Sequence, residues 1–460
     1  MEKSMLLKIA TILAVIIVIG AVLVATGSDD KDNTEISVKS TLMIRGNADG
    51  NYVIDQKDME VLEAVIASEK TLADHPLADV NGDGEVNDTD RAILQNMIDR
   101  RAGTVYVIAL DREGNETTVP VQYPLRNIVT YATNMDMPVI YSGGAPYIAG
   151  YFSMTYENAQ ASIGKGAVNL DASSRTIPDA SWAKFTKLDA DLANVGGIGA
   201  FITDYSAIAQ VTEKRADDLK AAKIPFMAFK SADAMVECDL VLTLSYLFGE
   251  DTEPLGVKYA KLRDRVLSEI ESKLESISDD DKNTFIAFNM WKYICSKNST
   301  YATTGVAAGG IYYSDVNNEF YDKYTKDKIN STPMDTVEAL SNYTDVDRLV
   351  NYRSIDWLAS ADEFNEEVIS TWDHLDGDKI PLSEYFKGFE DRLSYVNNLL
   401  PGPAKLAYTA VAIYPNLFTK EWADSVLQEC IDMGVPSVQG HALEQLVPYF
   451  DYAMYKEAKN

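Results

Sequence analysis

The chain has 460 residues, 46% of them hydrophobic and 24% charged, the balance of a globular protein with about three domains. Lys and Arg total 41 against 70 Asp and Glu, a formal net charge of -29, and a surface that acidic excludes nucleic acid as a natural partner. Cys238, Cys295 and Cys430 are odd in number and far apart, so they form no fully paired disulfide framework, and the histidines are too few for an imidazole metal centre.

At the amino end Lys3 and Lys8 precede an uncharged apolar run from Ile9 to Thr26, and Asp29, Asp30, Asp32 and Glu35 follow it. That charge order predicts a membrane-spanning helix with the bulk of the chain outside the cytoplasm. Residues 1–27 are therefore expected to be a transmembrane anchor, retained rather than cleaved as a signal segment. Residues 28–43 read as a polar linker.

The sharpest motif is the stretch from Asp79 to Asp90. Counted from Asp79, oxygen-bearing side chains fall at positions 1, 3, 5, 9 and 12 as Asp79, Asn81, Asp83, Asn87 and Asp90. Gly84 stands at position 6, and Glu85 at position 7 would offer its carbonyl. Calcium takes six to eight hard oxygen ligands, and alternate positions of a tight loop can converge on one ion. An earlier copy places Asn47, Asp49, Asn51, Asp55 and Asp58 in the same positions, with Val53 as the carbonyl donor. Tyr52 stands there in place of glycine, and Asn47 in place of an acid, so two calcium sites are expected, the second stronger. An apolar helical pattern follows each loop, through Met59, Leu62, Val65 and Ile66 and through Ile93, Leu94, Met97 and Ile98.

Two loop-helix units in tandem resemble a dockerin, over residues 44 to 102. The resemblance implies a small all-α module folded by calcium and able to dock onto a cohesin domain. Positions 10 and 11 are Gln56-Lys57 and Asp88-Thr89 rather than a matched Ser/Thr pair, which departs from the usual partner-reading residues.

From Thr104 the pattern turns to strands: Val105–Leu110 and Thr117–Val121 flank a turn at 111–115, and another strand begins near Tyr123. Between Glu253 and Ser278, Leu255, Tyr259, Leu262, Val266, Ile270, Leu274 and Ile277 recur at steps of three and four. That spacing predicts an amphipathic helix of roughly 36 Å, either a spine between two lobes or a surface helix of one large domain.

The hairpin with Gly114, then Pro124, Arg126, Ile128 and Val129, resembles the opening of the substrate-binding proteins of iron-complex and cobalamin importers. The stretches Ile198–Tyr205, Leu219–Met227, Leu399–Tyr408 and Ile413–Phe418 match that family in order. The resemblance favours the spine. It implies an α/β fold of two α/β lobes joined by one long α-helix: an N-terminal lobe at 104–250, the interlobe helix at 251–280 and a C-terminal lobe at 281–460.

A site at the carboxyl ends of the strands would draw on Tyr131, Thr133, Asn134, Tyr147, Tyr151, Asp204 and Tyr205 in the first lobe. In the second it would draw on Asn289, Trp291, Tyr293, the small-residue loop from Gly305 to Gly310, Tyr312, Tyr313, Asn351, Arg353 and Trp357. The implied role is an extracytoplasmic, membrane-tethered receptor that passes an iron chelate (a siderophore or haem) or a corrinoid to an ABC permease. The alternative is a cell-surface assembly protein using its calcium module on a cohesin-bearing partner. An enzyme is not expected: no phosphate-binding Gly-x-x-x-x-Gly-Lys, no His-Glu-x-x-His and no Gly-x-Ser-x-Gly is present.

Overall fold

A computed structural model describes residues 40–152, 162–163, 166–171, 176–289, 292–326, 333–373 and 382–460. The expected anchor, most of the expected linker and Trp291 lie outside the described residues. Among the described residues no helix is long and apolar enough to cross a membrane.

Thirteen described strands form two sheets. The first is built from β1 (Gly103–Leu110), β2 (Glu116–Tyr123), β3 (Ile128–Tyr131), β4 (Ile148–Tyr151), β5 (Val168–Asn169), β6 (Ala200–Asp204) and β7 (Phe226–Phe229). Its order is β2-β1-β7-β6-β3-β4-β5. The β1–β2 hairpin is antiparallel from Gly103↔Tyr123 to Leu110↔Glu116, so the expected turn at 111–115 is where the chain reverses. Strands β7, β6, β3, β4 and β5 run parallel. The second sheet holds β8 (Thr284–Asn289), β9 (Tyr293–Ile294), β10 (Ile311–Tyr312), β11 (Arg348–Arg353), β12 (Leu393–Asn397) and β13 (Tyr449–Asp451). Its order is β10-β8-β11-β12-β13, with β9 paired to β8.

Six helices frame the lobes and the calcium loops: α1 (Gln56–Ile66), α2 (Asp88–Ile98), α3 (Thr133–Tyr141), α4 (Ala234–Phe248), α5 (Glu253–Leu274) and α6 (Gly402–Ile413). The spine expected from periodicity is α5, 22 residues and therefore roughly 33 Å long. It stops at Leu274, and Asp279–Asp281 form a separate 3₁₀ turn.

The two lobes and the long helix are present, but α5 does not hold the lobes apart on its own. Helix α4 is apolar almost all round, with Leu240, Val241, Leu242, Leu244 and Leu247 buried, and such a helix needs cover on every side. It packs against α5, and α6 packs on both. One buried apolar cluster consequently runs unbroken from Val107 through Leu240 and Tyr259 to Phe285, Val350 and Leu406. The lobes share a helical layer.

The calcium module is joined to this body rather than strung from it. Leu42, Ile44, Ile54, Leu62, Val80 and Met97 belong to the same cluster. Ile44 bridges Val107 of β1, with Arg45 N donating to Tyr106 O at 2.9 Å and Ile108 N to Met43 O at 2.9 Å. Arg100, just after α2, grips Glu253 at the start of α5 with Nε to Oε2 at 2.9 Å and Nη2 to Oε1 at 2.5 Å. The linker expected to reach residue 43 therefore ends earlier, because Ser40 and Leu42 are fully buried.

The α4–α5 contact depends on Gly256. A Cβ there would stand 2.6 Å from Ser245 Cβ and 3.1 Å from Leu242 Cα, which is backbone and cannot swing aside. Gly256→Ala is expected to lower unfolding free energy by about 1–3 kcal/mol, the usual cost of overpacking, read as a drop in urea midpoint with unchanged slope.

Candidate functional site: a polar seam between the lobes and a pair of calcium loops

The carboxyl ends of β3, β7 and β12 meet where the lobes face each other. Asn134, in the first turn of α3, and Asn398, directly after β12, approach across the boundary, Nδ2 of Asn398 lying 3.4 Å from Asn134 Oδ1 and 3.4 Å from Tyr301 OH. Asn398 Oδ1 is buried and has no hydrogen-bond partner among the described residues. The turn that delivers Asn134 is strained: Ala132 sits at φ 81°, ψ 136°, a region that side chains disfavour. Backbone strain of that kind collects at functional sites.

Three further links cross the seam. Thr303 Oγ1 donates to Asp233 Oδ2, Ala234 N donates to Thr304 Oγ1 at 3.2 Å, and Tyr141 OH donates to Leu399 O. Beneath them lies a buried ion pair, Glu237 of α4 with Lys405 of α6 at 3.3 Å. Glu237 Oε1 also accepts from Tyr259 OH at 2.5 Å and from Gly402 N at 2.7 Å. Burial pushes the Glu237 carboxyl above its usual range, and Lys405 opposes that rise.

Asn134, Met137, Tyr141, Ser231, Asn398 and Lys405 line a cavity of about 10 Å³, room for about one water. A larger hollow of about 310 Å³ lies away from the seam, between α2 and β1, against Ile93, Met97 and Tyr106.

Several sequence candidates are placed elsewhere. Tyr147 precedes β4 instead of following it, so it lies at the amino end of the sheet, under Arg126 at 4.1 Å from its ring centroid. Tyr312 is opposite Phe285 in the first half of β8, is fully buried, and donates to Cys295 O at 2.5 Å. Trp357 is buried with Nε1 on Ser437 O at 3.0 Å. Gly305 belongs to the helix Thr300–Ala307, not to a loop, and is small because a Cβ would meet the Phe285 ring at 2.2 Å.

Others reach the carboxyl ends. Arg353 ends β11 but is held by Glu367 at 2.9 Å and Thr371 at 2.5 Å. Tyr131 ends β3, buried edge-on to Phe152, with no partner for its hydroxyl among the described residues. Tyr205 follows β6, 43% exposed beside Lys230, and Thr133 opens α3. Sequence reasoning missed Asn398, Glu237 and Lys405. Charge inside otherwise apolar patterns, Glu237 beside Asp239 in α4 and Lys405 alone in α6, was the available signal for the last two.

The two calcium loops share one hydrogen-bond plan, which fixes their register. In each, the side chain at position 3 accepts from the N–H of position 5 (Asp49 from Asn51, Asn81 from Asp83), and position 5 accepts from position 7 (Asn51 from Val53, Asp83 from Glu85). The carboxylate at position 12 accepts from positions 3 and 9: Asp58 from Asp49 and Asp55, Asp90 from Asn81 and Asn87. Each position 9 residue caps the helix after it, Asp55 for α1 and Asn87 for α2. Gly50 and Gly82, both at position 4 with positive φ, are a further shared feature.

The loops differ at position 1. Asp79 accepts from the N–H groups of Gly82, Asp83 and Gly84, whereas Asn47 Oδ1 is buried and takes no hydrogen bond from the described residues. Among the described residues no three His, Cys, Asp or Glu side chains converge as a metal cluster. Each loop instead mixes carboxylates with Asn amides and a backbone carbonyl. That donor set fits calcium, and the orphaned Asn47 oxygen is the kind of atom a cation would satisfy.

Its fold and loops define a two-lobed α/β protein with an integrated paired calcium-loop module. Residues 46–99 match the family described as dockerin type I domain. No curated protein matches the chain. Among solved structures it is similar to the TroA-like periplasmic binding protein FepB from Veillonella parvula, 13% identical with a TM-score of 0.48 over 75% of this chain and 99% of that one. It is also similar to Ceue from Helicobacter pylori with Ni(II) bound, 12% identical with a TM-score of 0.45 over 74% and 98%. A periplasmic heme binding protein from Pseudomonas aeruginosa is 12% identical with a TM-score of 0.38 over 64% and 94%.

Asp58 supplies a pH test of the first loop. Burial, then the charge of Asp49, pushes its carboxyl from the ordinary 3.8 up to about 8. An acid raised on folding favours the folded state below its unfolded value, and that contribution is lost as pH rises through the folded value. In excess chelator the melting temperature of the module should therefore fall between about pH 4 and pH 8. Calcium should restore it most at the alkaline end, where Asp58 is ionised. Scanning calorimetry across that range with and without calcium checks both slopes.

Proposed function

We propose that the chain is an extracytoplasmic solute-binding receptor of an ABC importer, held at the membrane by its amino-terminal segment, with the interlobe seam as its binding site. The observation that carries the reading is Asn398. It is a buried amide at the carboxyl end of a parallel strand, facing Asn134 of the other lobe, with an acceptor oxygen that nothing among the described residues satisfies. A buried unpaired acceptor costs about 1–3 kcal/mol and is retained where something else supplies the donor.

The ligand class we assign is an iron chelate, a siderophore or haem, or a corrinoid, delivered to a permease partner. The seam holds about one water when zipped, so such a ligand enters as the lobes part about the α4–α6 layer. Arg353, a charge suited to an anionic chelate, gives up Glu367 and Thr371 to meet one. Both calcium loops are filled in this reading, and the second binds more tightly because Asp79 is already preorganised by three backbone N–H groups.

Thermal-shift titration with ferric siderophores, haem and cobalamins, at fixed calcium, tests the receptor. A true ligand at one hundred times its Kd adds about 2.7 kcal/mol by mass action, and Asn398→Ala should abolish the rise. No shift with any of these compounds, or a shift indifferent to Asn398→Ala, sinks the assignment.

The match of residues 46–99 supports a second role that can coexist with the first, docking to a cohesin-bearing partner. Gln56, Lys57, Asp88 and Thr89 are exposed, Asp88 in an ion pair with Arg91. A panel of purified cohesins should capture the full chain in calcium and release it in chelator. A panel that retains none in calcium removes this role.

A further inference from the structure

Tyr52 is where the first loop departs from the second. Position 6 of the second loop is Gly84 at φ 93°, while Tyr52 is not among the positive-φ residues. Its hydroxyl donates to Asp264 Oδ2 of α5 at 2.5 Å. Asp264 is buried and gathers the surrounding chain. It accepts from Ser40 N at 3.0 Å and Ser40 Oγ at 2.9 Å, and pairs with Arg263 Nε at 2.7 Å. Arg263 Nε in turn reaches Ser40 Oγ at 2.8 Å.

Position 1 is wired to the neighbouring helix. Asn47 Nδ2 donates to Thr41 Oγ1 at 3.0 Å, Thr41 N donates to Asp239 Oδ1 of α4 at 3.2 Å, and Met43 N donates to Thr243 Oγ1 of α4 at 2.8 Å. One loop is thus tied to both members of the α4–α5 hairpin, to α5 directly through its sixth residue and to α4 by way of Thr41 through its first. These are the helices through which the two lobes are joined.

We propose that the first calcium loop is a brace on the interlobe hinge, so that filling it stiffens α4 and α5 and emptying it loosens them. The inference rests on calcium being the ion that the loops take. The coupling runs through residues already in contact. A cation on Asn47 Oδ1, Asp49 and Asn51 fixes the loop between positions 1 and 7, and Tyr52 lies inside that span. Without it, no ion ties positions 1, 3 and 5 together, and the tether from Tyr52 to Asp264 is anchored at one end only. By linkage, whatever changes the hinge must change calcium affinity by the same factor.

The test is amide hydrogen exchange of the full chain in calcium and in excess chelator, with calcium stoichiometry measured separately by calorimetry. In the native chain calcium should slow exchange across 239–264 by about tenfold, the signature of suppressed local opening. Tyr52→Phe keeps the ring and removes only the hydroxyl. It should still bind calcium, while exchange in α5 loses most of its calcium dependence. Asp49→Asn, which weakens the loop without touching the helix contact, should shift α5 protection to higher calcium concentrations.

Two bound calcium ions with α5 exchange identical in calcium and chelator would overturn the brace. So would Tyr52→Phe retaining the full calcium effect. Absence of calcium binding by calorimetry would instead overturn the underlying assignment of the loops.

Discussion

The Glu237 carboxylate is the point on which the architecture turns. It takes hydrogen bonds from α5 through Tyr259, from the first residue of α6 through the Gly402 N–H, and from Lys405 one turn further on. Three helices from different parts of the chain are therefore fixed by one buried acid. Breaking such a pair by removing one partner costs about 3–5 kcal/mol, because the other is left charged and dry. The apolar layer around it supplies more energy, but apolar packing is non-directional. The ion pair supplies the register in which α6 lies across α4 and α5, and that register sets the second lobe opposite the first.

The calcium module extends the same layer outward. A tethered docking module would keep its own core and meet the rest of the chain through a solvated linker. Here Leu42 and Ile44 are buried with Leu240 and Tyr259 in one cluster, and Arg100 forms a bidentate pair with the first residue of α5. Partly buried bidentate pairs have geometric specificity as well as energy. Motion of the module relative to the first lobe would have to break these contacts together, so the module and that lobe move as a unit.

Much of this could be read from the chain because it is local. The spacing of Asp79, Asn81, Asp83, Asn87 and Asp90 encodes a loop whose hydrogen bonds span two to ten residues. The β1–β2 hairpin is set by a five-residue turn, and the 3.6-residue period of α5 needs no partner to be visible. What was hidden depends on residues far apart in sequence. Asn398 meets Asn134 across 264 positions, and Tyr52 meets Asp264 across 212. Tyr147 was misplaced because the start of β4 is decided by pairing with β3, which a pattern of apolar residues around 148 does not reveal. Tyr312 and Trp357 were chosen as aromatic rings able to stack on a ligand, but a ring that fits a ligand fits a core equally well.

The zipped seam has a consequence for any ligand that uses it. Besides the Gly402 and Lys405 bonds to Glu237, four hydrogen-bonded links among the described residues cross between the lobes, each worth about 1 kcal/mol net, so the closed form is favoured by a few kcal/mol before packing is counted. A ligand that binds only the open form has its apparent affinity reduced by the small open fraction. Anything that shifts the stiffness of α4 and α5 changes that fraction directly, since the lobes can part only by bending or sliding those helices. Calcium at the first loop and a solute at the seam would then act on one equilibrium from two places. Their effects on each other need no contact between the two sites, only the hinge that both must work against.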